Sequence, residues 1–146
     1  MRIETISLFD KLASRMNGSP ERFEVLGDID LDLVCVMHDE GDGFRVRLRF
    51  EGIGCTGVKA CAAGEERSAD CWLEGPLDAW VAMFDDIRAN AGASGMQTLN
   101  SLTLLGDRIA LHGADPMGGD RFHRFNQSVQ EFFDGAAVLD ASPAVS

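Results

Sequence analysis

The stretch Asp28–Phe50, DIDLDLVCVMHDEGDGFRVRLRF, decides how this chain is read. From Asp28 to His38 the residues alternate, so Ile29, Leu31, Leu33, Cys35 and Met37 share one face of a strand. From Phe44 to Phe50 they alternate again, with Phe44, Val46, Leu48 and Phe50 set against Arg45, Arg47 and Arg49. Asp39-Glu40-Gly41-Asp42 between them has turn chemistry. A hairpin pairing His38 with Gly43 puts Met37 opposite Phe44, Cys35 opposite Val46, Leu33 opposite Leu48 and Leu31 opposite Phe50. The apolar faces then coincide along the whole ladder. A slip of one residue would lay arginines over leucines, so the register is strongly specified. On the outer face Asp32 comes opposite Arg49, with Asp30 diagonal to it. Each such pair contributes about 0.2–1 kcal/mol.

Working outward, residues 3–16 read as a helix with Ile6, Phe9, Leu12, Ala13 and Met16 on one side and Asn17-Gly18 as its end. Residues 20–26 fit either a helical turn opened by Ser19-Pro20 or a strand carrying Phe23 and Val25. Downstream, Ile53–Ala62 reads as a third strand interrupted by Gly54 and Gly57. Ser68–Glu74 reads as a fourth, with Ala69, Cys71 and Leu73 on one face and Trp72 on the other. Gly75-Pro76 opens a helix whose Leu77, Trp80, Val81, Phe84 and Ile87 occupy a stripe of about 120°. Residues 90–96 read as a flexible loop, and Thr98–Leu105 as helix or strand. Arg108–His112 is a short strand after the Gly106-Asp107 turn. In residues 119–134 the side chains of Phe122, Phe125, Val129, Phe132 and Phe133 fall within about 100° of arc on a last helix, which Gly135 ends.

The expected fold is therefore α+β: a mainly antiparallel five-stranded sheet, beginning as a four-strand meander, with helices packed on one face. At 146 residues the chain fits one domain, taken as 1–135, with 136–146 a flexible tail. Thirteen Lys+Arg against 24 Asp+Glu give a net charge of −11, which excludes the basic surface that nucleic acid requires and disfavours docking on an anionic membrane. No apolar run approaches the roughly 20 residues of a membrane span. Met1-Arg2-Ile3-Glu4-Thr5 has no signal-peptide character, so a bacterial, cytoplasmic protein with reduced cysteines is expected.

Motif by motif, the chemistry is sparse. Gly52-Ile53-Gly54-Cys55-Thr56-Gly57 spells G-x-G-x-x-G, but no helix follows within a βαβ unit, so a bent strand is the better reading than a nucleotide site. Asp28, Asp30 and Asp32 lack the spacing of a calcium loop and read as a solvated strand face. His38-Asp39-Glu40 reads as a solvated turn in preference to a metal site. Cys35, Cys55, Cys61 and Cys71 form no C-x-x-C, and three of them point inward, where burial opposes thiolate formation. His112, Asp115 and His123 gather near the last strand–helix junction and are the acid–base candidates. Nine Phe, two Trp, six Met and no Tyr bring apolar area with few hydrogen-bonding tips. They fit either a plain core or an apolar pocket between sheet and helices.

The opening helix, the Asp28–Phe50 hairpin, Ala69-Asp70-Cys71-Trp72-Leu73 leading into Leu77-Asp78-Ala79-Trp80, and Leu104-Leu105-Gly106-Asp107 together resemble the sterol carrier protein-2-like family. The resemblance spans most of residues 5–134. Asp115-Pro116 and the segment Arg124–Phe133 depart from the family pattern and mark a divergent branch. The nuclear transport factor 2-like fold is the rival, but it opens with several helices before its sheet. The sterol carrier resemblance implies a hydrophobic tunnel between sheet and helices, with no cofactor needed; the motifs give no metal site. The implied function is a carrier of a sterol, acyl lipid or related polycyclic compound, serving steroid or other hydrophobic-compound catabolism. Leu33, Val46, Leu48, Trp80, Phe84, Phe122, Phe125 and Val129 are the expected lining. The alternatives are a cofactor-independent isomerase, lyase or hydratase using His112, Asp115 and His123, and a protein whose helix stripe is a homodimer or partner interface.

Overall fold

A computed structural model describes residues 3–39, 43–90 and 108–139. The expected hairpin forms from β1 (Ile29–His38) and β2 (Phe44–Gly52), in the register read from the sequence: Leu31↔Phe50, Leu33↔Leu48, Cys35↔Val46 and Met37↔Phe44. β3 (Gly54–Ala60) folds back beside β2. Chain geometry then departs from a meander. After a 3-10 turn at Glu65–Ser68, the chain crosses to the far edge of β1, and β4 (Cys71–Pro76) pairs parallel to it. β5 (Ala110–Gly113) pairs antiparallel to β4, giving the order β3-β2-β1-β4-β5. The sheet is thus mixed, with a parallel interface between β1 and β4. The segment 61–70 between β3 and β4 reaches across, and a parallel neighbour cannot be made by a tight turn.

The crossover explains Val34 and Val36. Both lie on the face of β1 opposite the main core, yet both are buried, in a small cluster with Ala69 and Trp72. Ala69 therefore belongs to that outer cluster and not, as its alternation with Cys71 suggests, to the inner face. The continuous apolar run Leu33-Val34-Cys35-Val36-Met37 is the sequence mark of a central strand covered on both sides. Ionic contacts tie the crossover down. Arg45 Nε donates to Glu66 Oε1 at 3.1 Å, and Arg47 Nη1 donates to Ser68 Oγ at 2.8 Å. The arginine–aspartate pairs are offset by one step from the direct cross-strand expectation: Arg47 grips Asp32 through Nε and Nη2 at 2.9 and 2.6 Å, and Arg49 reaches Asp30 at 2.8 Å. Long guanidinium side chains span the diagonal readily.

Among the described residues, helices pack on the inner face or its rim. α1 (Ile6–Asn17) starts at Thr5, whose hydroxyl accepts from Leu8 N, and buries Leu8, Phe9, Leu12, Ala13 and Met16. The ambiguous segment is helical, α2 (Pro20–Glu24), with proline at its first position and Phe23 buried. α3 (Leu77–Asn90) begins directly after Pro76, which still sits in the ladder opposite His38. α4 (Pro116–Asp134) starts earlier than the periodicity indicates, because Asp115 caps it through Gly118 N. The short α5 (Ala136–Leu139) follows, with Ala136 fully buried, so the chain stays packed beyond residue 135. Asn90, expected to open a loop at 90–96, is instead the last residue of α3; the rest of that loop, the expected element Thr98–Leu105 and the tail from residue 140 lie outside the described residues.

The glycine-rich motif is structural. Gly52 has φ +61°, which turns β2 into β3, and no βαβ unit surrounds it. Gly54 packs so closely on α1 that a Cβ there would lie 2.4 Å from Asn17 Oδ1. That proximity lets the Asn17 amide act as a strand partner: Cys55 N donates to Oδ1, and Nδ2 donates to Cys55 O, both at 2.9 Å. The end of α1 is thereby sewn to the edge of β3 just beyond its bulge. Replacing Asn17 by Ala removes both bonds, and urea denaturation should show a loss of about 1–3 kcal/mol. Asn17→Asp, which keeps one acceptor but presents an oxygen to the Cys55 carbonyl, should fail to restore it.

Candidate functional site: the apolar layer between sheet and helices

The odd positions of β1, the even positions of β2 and Cys71 and Leu73 of β4 form the floor. Leu33, Val46 and Leu48 are fully buried there, with Leu33 directly opposite Leu48. α3 brings Trp80 and Phe84 over this floor, and α4 brings Phe122 and Val129, all four fully buried. Phe125 is half-buried and packs on the same cluster. The eight side chains named from sequence therefore all belong to one apolar layer.

Phe133 organises the roof. Its ring centroid lies 6.1 Å from Phe9, 6.1 Å from Trp80, 5.8 Å from Phe84 and 5.4 Å from Phe132, mostly edge to face. Such pairs contribute about 0.5–1.5 kcal/mol beyond area burial. Phe132 in turn meets Phe50 of the floor at 5.1 Å. Sequence periodicity puts Phe132 and Phe133 on the inward arc but does not single out Phe133, because its ring partners come from α1 and α3 as well as from α4. The indole of Trp80 donates Nε1–H to the Val36 carbonyl at 3.1 Å, which satisfies the polar tip of this buried ring and pins α3 to β1.

The three acid–base candidates stand apart from this layer and from one another. His112 is on the outer face of the sheet, stacked on Trp72 at 5.5 Å, with Nε2 3.7 Å from Glu74 Oε1. The Asp115 carboxylate accepts from Gly118 N at 3.0 Å as the α4 cap. His123 is exposed on α4, its ring against Phe122 at 5.7 Å. No hydrogen bond or ion pair joins any two of them among the described residues. Glu74, the partner His112 does have, goes unnoticed in the sequence because strand adjacency across the crossover cannot be read from it.

The four cysteines are free thiols, and Cys35, Cys55 and Cys71 are buried. Burial pushes the Cys35 thiol far above its ordinary value, with neighbouring Cys71 adding to the effect. Burial likewise pushes Cys71 up to about 12, assisted by Asp70 and Asp32. Neither can serve as a thiolate nucleophile near neutral pH. In the unfolded chain such thiols ionise near 9.0, whereas folded Cys71 holds its proton to about 12. The unfolded state therefore binds fewer protons across that interval, and stability must fall as pH rises through it. Chemical denaturation should show a free energy unaffected by these thiols below about pH 9 and declining above it. Cys71→Ala should be less stable at neutral pH yet show a shallower alkaline decline.

No protein-family model matches the chain, and no curated protein matches it. Solved structures do. A crystal structure of sterol carrier protein 2 superposes with a TM-score of 0.70 at 17% identity, covering 93% of this chain and 98% of that one. The solution structure of a conserved hypothetical protein from Thermus thermophilus, described as possibly a sterol carrier protein, gives 0.65 at 16% identity, covering 94% and 91%. Both likenesses run through nearly the whole of each chain, at an identity too low to carry more than the fold. The chain therefore has the fold of the sterol carrier protein-2 structures.

Proposed function

We propose that this protein carries a hydrophobic small molecule in the layer between its sheet and its helices. The observation that carries the reading is the near full-length likeness to a sterol carrier protein structure. The residues agree with it. The layer is built from Leu33, Val46 and Leu48 below and Trp80, Phe84, Phe122, Phe125 and Val129 above, all in one apolar cluster. Trp80 Nε1 is already satisfied by the Val36 carbonyl, so that indole contributes only surface to a guest. Contacts of this kind select for size and apolarity, with polar groups adding orientation. A sterol, an acyl lipid or a related polycyclic compound suits such a lining. Pliable rings and thioethers, including Met37 and Met83, allow repacking around guests of different shape.

A cytoplasmic location and service in the breakdown of hydrophobic compounds complete the proposal. No helix among the described residues is long and apolar enough to cross a membrane. The acid–base alternative is less favoured, because its three candidate residues make no shared site.

The two tryptophans supply the test. Trp80 lies in the layer, and Trp72 lies on the opposite face of the sheet. Delipidated protein should take up a fluorescent sterol or acyl chain as a 1:1 adduct in native mass spectrometry. Energy transfer from tryptophan to the probe should drop sharply in Trp80→Phe and persist in Trp72→Phe. Absence of an adduct with sterols, acyl chains and polycyclic aromatics alike would remove the carrier reading.

A further inference from the structure

Gly57 closes the glycine-rich motif and takes no part in a nucleotide fold, yet it opens a hollow on the outer face of the sheet. A concavity of about 380 Å³ is lined there by Asp32, Arg47, Arg49, Gly57 and Lys59. The register of β2 against β3 explains it. Arg49 stands opposite Gly57 and Arg47 opposite Lys59, so all four positions share one face. Glycine offers no side chain opposite Arg49, and the floor stays open at that point. The bulge just beyond, between Arg49 and Phe50, adds twist and bends the strand pair.

Charge sets this hollow apart from the rest of the chain. The net charge is −11, yet three of the five lining residues are cations. Arg47 and Lys59 are like charges directly across a ladder, an arrangement that costs stability. Asp32 does not relieve it for Lys59, because both its oxygens already face Arg47, at 2.9 and 2.6 Å. Arg49 spends Nε on Glu51 and Nη2 on Asp30. Those two bonds orient its guanidinium and leave Nη1 without a partner among the described residues. No carboxylate among the described residues pairs with Lys59. Arg49 Nη1 and the Lys59 ammonium are therefore unspent donors on one hollow, and Arg47 adds its charge beside them.

We propose that this hollow binds the phosphate group of a small, soluble phosphate ester. A guanidinium presents directed N–H donors to an oxyanion, and an ammonium adds a compact charge. Small-molecule sites span about 300–1,000 Å³, and this one lies near the lower end, with room for a phosphate and a short organic body. A lipid headgroup offers the same phosphate chemistry, but a chain of net charge −11 is repelled by an anionic bilayer, so the soluble source is favoured. A dianion between Arg47 and Lys59 removes their mutual repulsion, so binding stabilises the fold. The site lies across the sheet from the apolar layer and stands or falls apart from the carrier reading.

Lys11 and Lys59 are the only lysines, so the full chain labelled with carbon-13 lysine reports each of them separately by NMR. Titration with inorganic phosphate and with glycerol phosphate, at ionic strength held constant with chloride, should move the Lys59 signal saturably and leave Lys11 in place. The thermal unfolding midpoint should rise in parallel. By calorimetry, Lys59→Gln and Arg49→Gln should each weaken binding roughly tenfold, and Lys11→Gln should bind like the parent. Gly57→Val should abolish binding by filling the hollow. Its Cβ meets only Arg49 Cβ, at 3.6 Å, an ordinary contact, so the strand is kept. Circular dichroism checks that each variant remains folded. Vesicles containing phosphatidic acid should bind no better than vesicles of phosphatidylcholine alone. The proposal is overturned if Lys59 does not respond, if Lys11 and Lys59 respond alike, if Lys59→Gln binds as tightly as the parent, or if only the phosphatidic acid vesicles bind.

Discussion

The apolar ladder of Leu31, Leu33, Cys35 and Met37 against Phe50, Leu48, Val46 and Phe44 determines which side of the sheet is dry. Because side chains alternate strictly along a strand, that one register commits Arg45, Arg47 and Arg49 to the other side. The helices must then cover the dry face, since a sheet with an exposed apolar surface of this size would be an association site. α1, α3 and α4 answer with rings and aliphatic groups confined to one stripe each. Phe133 of α4 meets rings from α1 and α3, so the helices are locked to one another as well as to the floor.

The opposite face is organised by charge. Arginines of β2 reach aspartates of β1 and residues of the crossover. Arg121 of α4 reaches Asp30, with Asp70 at 3.8 Å, from the rim. The exposed pairs among them, Arg49–Asp30 and Arg121–Asp30, each contribute little, about 0–1 kcal/mol, whereas Arg45–Glu66 and Arg47–Asp32 are largely buried. Their role is positional: they keep the crossover over Val34, Val36 and Trp72, and so hold β4 beside β1. That placement in turn delivers Glu74 between His38 and His112. A hydrophobic register on one face thus sets up, through the chain path it requires, a polar cluster on the other.

Most of the inner face was legible in the residues. Alternation located β1 and β2, and helical periodicity located the inward stripes of α1, α3 and α4. The membership of the eight named residues in the apolar layer follows from these periods alone. Less legible were the features that depend on path. The parallel β1–β4 pairing, the move of Ala69 to the outer cluster and the isolation of His112 from His123 all arise from one crossover. Its trace in the sequence is the unbroken apolar run Leu33–Met37. Asn17 looked like a helix end, and it is one; that its amide also pairs with the Cys55 backbone depends on where Gly54 lies in space.

By itself, then, the sequence determined the hairpin register, the identity of the wet and dry faces and the amphipathic stripes of the helices. These are consequences of local periodicity, and a chain carries its periodicity wherever it goes. Tertiary structure alone decided which strand lies beside which, which ring sits at the hub and which carboxylate stands between two histidines. Those are meetings between residues tens of positions apart, and loop-closure entropy together with competition for buried surface selects among them. No local pattern encodes that competition.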